Sequence, residues 1–176
     1  MEWKKILDFW FEEIEPSLHW KKDSEFDQMI RERFGEVHAA ANRCELFGWR
    51  GQPEGRLAEI IVLDQFSRNI YRDRPEAFAS DAIALALAQE AISVAADKHL
   101  TENQVSFLYM PFMHSESAAI HQVALQLFAD LGHLDFEIRH KEIIDRFGRY
   151  PHRNEILGRE STPEEIAFLN EPGSSF

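Results

Sequence analysis

Apolar residues return every three or four positions along nearly the whole chain, and no stretch of useful length alternates as a half-buried strand would. Trp3, Ile6, Leu7, Trp10, Phe11 and Ile14 set out a short amphipathic first helix that Pro16 closes. A second helix is expected from about Asp23 to Leu46, with Phe26, Met29, Ile30, Phe34, Val37, Ala41 and Cys44 inward and Arg31, Glu32 and Glu36 outward. After a loop of Gly48, Gly51, Pro53 and Gly55, residues 56–71 read as a third helix, apolar on nearly every side around Ile60, Ile61, Val62 and Leu63. A helix apolar all round belongs at the centre of a fold.

The pattern continues to the other end. Asp81 to Lys98 is Ala-rich and a strong helix former. Thr101 with Gln104 forms a capping box for a helix that Pro111 is expected to break or bend. Ser115 is expected to cap the next helix, with Gly132 as its stop, and Asp135 one carrying Phe136, Ile143, Ile144 and Phe147 to Gly148. Thr162-Pro163-Glu164-Glu165 starts a last helix anchored by Ile166, Phe168 and Leu169, and Gly173-Ser174-Ser175 should fray. The expectation is an all-α fold of antiparallel helical hairpins stacked in layers, one domain over residues 1–176.

Composition adds limits. Fourteen Phe and four Trp among 176 residues provide bulky packing for a real core. A net charge of −12 argues against a nucleic-acid partner, which needs a basic face. The single Cys44 excludes an internal disulfide and reads as a small buried hydrophobe. No stretch approaches the roughly 20 apolar residues of a membrane span, and the first residues lack a signal peptide's order, so a cytoplasmic setting is expected. The residues leave oligomeric state open.

Three segments place polar residues where a plain helical scaffold needs none. In the first, Asp64, Arg68 and Arg72 form one stripe at i, i+4 and i+8, and Gln65 and Asn69 the adjoining one. The bland account is an Asp64–Arg68 ion pair with capping contacts; the sharper one is a ligand-facing strip. In the second, Pro111-Phe112-Met113-His114-Ser115-Glu116, a His and a carboxylate flank an expected helix start, where free amides favour an anion. His114, Glu116 and His121 do not form a metal-binding i, i+4 pair, and HExxH is absent; no metal and no cofactor are expected.

The third segment is the most unusual. Residues 139–160 hold six Arg or Lys against four acids, while the rest of the chain carries 13 against 27. Within it lie Arg146, Arg149, His152 and Arg153. Guanidinium forks suit carboxylates and phosphates, so the island could hold an anion or clamp the chain's own acids and carbonyls. Walker loops, GxSxG, GxGxxG and CxxC are absent.

Read together, Asp8-Phe9-Trp10-Phe11, Leu63-Asp64-Gln65-Phe66-Ser67-Arg68-Asn69, Ala77-Phe78-Ala79 with Asp81, Pro111 to Glu116 and Arg146 to Asn154 resemble the motifs of the bacterial domain-of-unknown-function family 924. The resemblance covers essentially the full length, with Tyr150 standing where Phe is often found. It implies a superhelix similar to tetratricopeptide repeats but without regular repeats, and no reaction. Three functions are then open. One is a binding module in which Asp64, Arg68, Asn69, Arg72, Arg146, Arg149 and Arg153 hold an anionic small molecule or acidic peptide. Another is a hydrolase or lyase on an anionic substrate with His114, Glu116 and His152 as acid and base. In the third, all three clusters are a structural network.

Overall fold

The structure, a computed structural model, describes residues 2–174. Every regular element among them is helical, and no strand occurs. Among the described residues no helix is long and apolar enough to cross a membrane. The chain groups into two compact units, each described by itself: Met1–Arg72 with Glu76–Pro111, and Asp73–Pro75 with Phe112–Phe176.

In the N-terminal unit, α1 (Lys4–Asp8) widens into a π turn over Phe9–Glu13. The long α2 (Ser24–Asn42) starts where Asp23 accepts from the amides of Glu25 and Phe26. It stops earlier than its apolar pattern suggested. The Cys44 amide donates to Ala41 O and the Glu45 amide to Ala40 O, a Schellman closure with Cys44 at φ 56°. That left-handed position faces water, so Cys44 is exposed rather than a core residue. Met29 is likewise 42% exposed.

The central helix begins with Pro53 at its first turn: α3 (Pro53–Ile61) passes through a π turn at Val62–Phe66 into α4 (Ser67–Ile70). Two of the motifs noted in the sequence, around Phe9-Trp10-Phe11 and around Leu63-Asp64-Gln65-Phe66, therefore fall on π turns. Such a turn admits one residue more than an α turn and shifts the facing of all that follows. Every residue from Leu57 to Ser67 is buried. Phe66 lies 5.1 Å from Phe34, 5.6 Å from Trp10 and 6.1 Å from Phe9, centroid to centroid, and this aromatic set is the core of the unit. Against it pack α5 (Asp81–Ser93), whose Ala84, Ala88 and Ala91 are buried, and α6 (Glu102–Met113). The α5 helix ends five residues before the expected Lys98, because Ala95 turns left-handed at φ 57° and a 3-10 turn follows at Ala96–His99. Pro111 does not break α6, which runs on to Met113. The Thr101–Gln104 capping box is present.

The C-terminal unit holds α7 (Ala118–Phe128), α8 (Leu134–Phe147) and α9 (Pro163–Leu169). Ser117, not Ser115, stands at the start of α7; α7 ends before Gly132; and His133 rather than Asp135 precedes α8. Gly148 closes α8 at φ 69°, and Thr162 with Glu165 completes the capping box of α9. One apolar cluster here is Ile143, Ile144, Tyr150 and Phe168, with Phe147 packed on it, and Phe112, Met113, Ala124 and Phe128 are buried as well. Phe136 and Ile166 are more than half exposed, so Phe168 anchors α9. Ser174 donates to Leu169 O rather than fraying; Ser175 lies outside the described residues.

Candidate functional site

The polar strip of the central helix is divided by its own geometry. Asp64 is fully buried and lies 3.1 Å from Arg68 Nη1, which also donates to the Asp64 carbonyl. The Arg68 fork grips Asp81, at the first turn of α5, through both nitrogens at 2.9 and 3.0 Å. Gln65 donates to Asp64 at 2.6 Å. Helix geometry stops at Ile70, so Arg72 leaves the stripe; it pairs with Asp27 of α2, which Asn69 also meets at 2.8 Å. One half of the strip thus faces α5 and the other α2. The expected Asp64–Arg68 pair is present, and each group has a carboxylate or carbonyl partner within the unit.

One arrangement in this unit has the outline of a catalytic triad. His38 Nε2 lies 2.8 Å from Ser67 Oγ, Asn42 borders the imidazole, and Ser80 donates to Asn42 Oδ1. Ser67 Oγ donates to Leu63 O at 2.6 Å, an acceptor that competes for the proton a base would take. Ser67 is also fully buried, and burial holds the His38 imidazole below its ordinary pKa.

The basic segment of the C-terminal unit is a set of clamps. Arg159 grips Glu116 through two nitrogens at 2.6 and 2.9 Å, and the Tyr150 amide donates to the same carboxylate at 2.7 Å. Burial alone would push the Glu116 carboxyl up; Arg159 and the Tyr150 amide outweigh it and hold it low. Arg149 forks onto Glu165 at 2.7 and 2.8 Å and reaches Glu160 O. Arg149 holds the Glu165 carboxyl down at about 2, helped by the Thr162 amide. Arg153 is buried, donates to the His114 carbonyl at 3.1 Å, and stacks 4.6 Å from the Tyr150 ring. Arg146 pairs at the surface with Glu164, both side chains well exposed. Of the expected catalytic groups, Glu116 is held by Arg159, while His114 and His152 are half-buried in the same unit.

At the centre stands a pair the residue pattern had passed over. His121 and Glu137 are both fully buried, with Nδ1 2.7 Å from Oε1. His121 Nε2 faces the Ser115 carbonyl at 2.8 Å and the Tyr150 hydroxyl at 3.2 Å, and Tyr150 gives its proton to Met113 O at 2.6 Å. Both neighbours of Nε2 can only accept, so it carries hydrogen. The available signal was an acid on an apolar helix face: Glu137 stands three residues before His140 and six before Ile143, all buried.

These contacts involve segments that the family comparison also covers. A family model described as a bacterial protein of unknown function (DUF924) matches residues 6–173. The chain belongs to this family. It is also similar to a solved structure, a protein of unknown function from Agrobacterium tumefaciens, at 41% identity and a TM-score of 0.92 over 96% of each chain. No curated protein matches it. The family match takes in all three polar segments.

A concavity lies elsewhere. In the N-terminal unit a shallow cleft of about 290 Å³ is lined by Trp3, Lys4, Leu7, Asp8, Phe11 and Glu12 with Glu54 and Gln104. None of these belongs to the three polar segments. Lys4 Nζ lies 5.6 Å over the Trp3 ring. No described residue forms an ion pair with Asp8, Glu12 or Glu54. Among the described residues no cluster of His, Cys, Asp and Glu could hold a metal.

Proposed function

We propose that this chain is a cytoplasmic, non-catalytic binding domain whose α1 cleft takes cationic, amine-bearing groups. The anionic ligand first read from the arginines is the second reading. The carrying observation is the contrast in how charges are engaged. The arginines of residues 146–159 meet acids and carbonyls of their own unit, whereas Asp8, Glu12 and Glu54 line a concavity beside Trp3 and Phe11. An aromatic face with nearby carboxylates is the chemistry that selects an ammonium, by ring quadrupole and by charge. Lys4 already rests over Trp3 in that sense, a tethered cation on the same ring. At about 290 Å³ the cleft suits one lysine-like side chain or a small amine. Helices stacked in the tetratricopeptide manner would present such a groove, by analogy of fold alone.

The test is an NMR titration with tetramethylammonium, a short diamine and neutral neopentyl alcohol, and with acetate and phosphate as the opposing arm. Shifts at the Trp3 indole and α1 amides from the cations, and none from the alcohol, are expected. Glu12→Gln with Glu54→Gln should weaken the effect at least about fivefold, and Lys4→Gln should strengthen it by removing the tethered competitor. Anions that perturb residues 146–159 while the cations perturb nothing would replace this reading with the anionic one.

A further inference from the structure

Next to the α1 cleft, in the same unit, stands an aromatic group that the amine reading leaves unused. The 3-10 turn at Pro16–His19 delivers Trp20 to the surface, where it is 59% exposed. Its ring is nevertheless held in place. It stacks on Phe107 at 5.7 Å between centroids with 17° between planes, and it meets His19 edge-on at 6.1 Å. His19 is fixed in turn by its contact with the Trp10 carbonyl at 2.8 Å. A large aromatic already set in position loses little freedom when a partner covers it, which is the profile of a binding anchor. Phe107 joins this ring to the cleft. It also meets Phe11, a wall of the cleft, at 5.5 Å. On α6 it stands three residues after Gln104, another wall, so the two share one helix face about a turn apart.

Gln104 bears on what the cleft takes. Its Oε1 accepts from the Thr101 amide at 3.0 Å, so the half of the carboxamide left to a ligand is the NH2 group. That group donates, and it suits a carbonyl rather than an ammonium. A free amine offers no such acceptor, whereas a lysine within a peptide carries a carbonyl on either side of its Cα. Charge selects in the same sense. Residues 2–15 hold five acids against Lys4 and Lys5, which draws a basic segment and repels an acidic one. We propose that the cleft and Trp20 together form a docking site for an extended, lysine-bearing segment of a partner protein. The ammonium lies against Trp3 and the carboxylates, a backbone carbonyl meets Gln104, and an apolar side chain about two or three residues from the lysine covers Trp20. That spacing follows from ring-to-ring steps of 5.5 and 5.7 Å, set against roughly 3.3 Å per extended residue. The seat of the lysine is the amine cleft proposed above, on which the peptide site rests.

The experiment follows the indole N–H signals of Trp3 and Trp20 in the full chain by NMR. The probes are n-butylamine, N-acetyl-lysine N-methylamide, the end-blocked tripeptide lysyl-alanyl-leucine, and the same tripeptide with norleucine in place of lysine. Affinity should rise through the first three in that order. The lysine tripeptide should bind at least about fivefold tighter than butylamine and should move Trp20 where the smaller probes do not. Trp20→Ala should return the tripeptide to the level of the blocked lysine and leave butylamine unchanged; should that variant not fold, the Trp20 signal of the unaltered protein decides. If butylamine moves Trp3 but the tripeptide binds no tighter or leaves Trp20 unmoved, the peptide site is overturned and the amine cleft stands. Silence from every amine overturns both. A norleucine tripeptide as tight as the lysine one overturns the lysine segment in favour of an apolar partner, and a Trp20 signal that shifts with protein concentration alone does so in favour of a second copy.

Discussion

The two units reach stability by different means. The N-terminal unit buries rings on rings: Phe66 lies 5.1 Å from Phe34 and 5.6 Å from Trp10, Phe34 lies 4.8 Å from Phe9, and polar groups sit around them in pairs. The C-terminal unit also buries apolar side chains, Phe112, Met113, Phe128, Ile143 and Ile144 among them, together with Tyr150, whose hydroxyl and amide are tied to Met113 and Glu116. Hydrogen-bonded charge pairs lie around it, Arg159 with Glu116, Arg149 with Glu165 and His121 with Glu137. Non-directional burial tolerates changes of solution conditions, while a core of paired charges depends on each partner keeping its protonation state. Each arginine of residues 146–159 has a carboxylate or carbonyl partner within this unit.

Substitutions can break or sharpen that contrast. The largest loss is expected from Phe66→Ala, about 3–5 kcal/mol in urea unfolding and little altered by salt, because a wholly apolar cavity opens. Tyr150→Phe should cost about 1–3 kcal/mol, since it strips Met113 O of its donor and His121 Nε2 of an acceptor. Its effect should appear in hydrogen exchange of 112–174 and leave the aromatic unit untouched. Cys44→Gly should raise stability by about 0.5–1 kcal/mol, because glycine enters the left-handed region without the steric penalty a Cβ brings. Arg146→Ala should stay within about 0.5 kcal/mol, as its pair with Glu164 is exposed to solvent and screened. An Arg146 effect as large as that of Tyr150 would remove the distinction between frame and surface.

The helices were legible because 3.6-residue periodicity is local. Trp3 to Ile14, the apolar centre at Ile60–Leu63 and both capping boxes stand where their spacing placed them. What was not legible depends on backbone detail or on distant partners. Nothing near Arg72 names Asp27, 45 residues away, as its acid. A π turn leaves no mark in a hydrophobic pattern, yet it and the end of α4 at Ile70 decide where the Asp64 stripe faces. Cys44 misled because its residue type suggests burial, whereas a helix ending there required a left-handed residue. The three polar segments stood out by composition and spacing, but residue type alone does not tell an arginine held by Glu165 from one awaiting a ligand.

A double-mutant cycle on Arg159 and Glu116, using Arg159→Met, Glu116→Gln and the pair together, separates these two states of an arginine most directly. If the basic segment exists to hold the C-terminal unit, the coupling energy in equilibrium unfolding will be about 1.5–3 kcal/mol. A coupling below about 0.5 kcal/mol would mean that the two groups stand together without supporting each other, and that the guanidinium is there for something else.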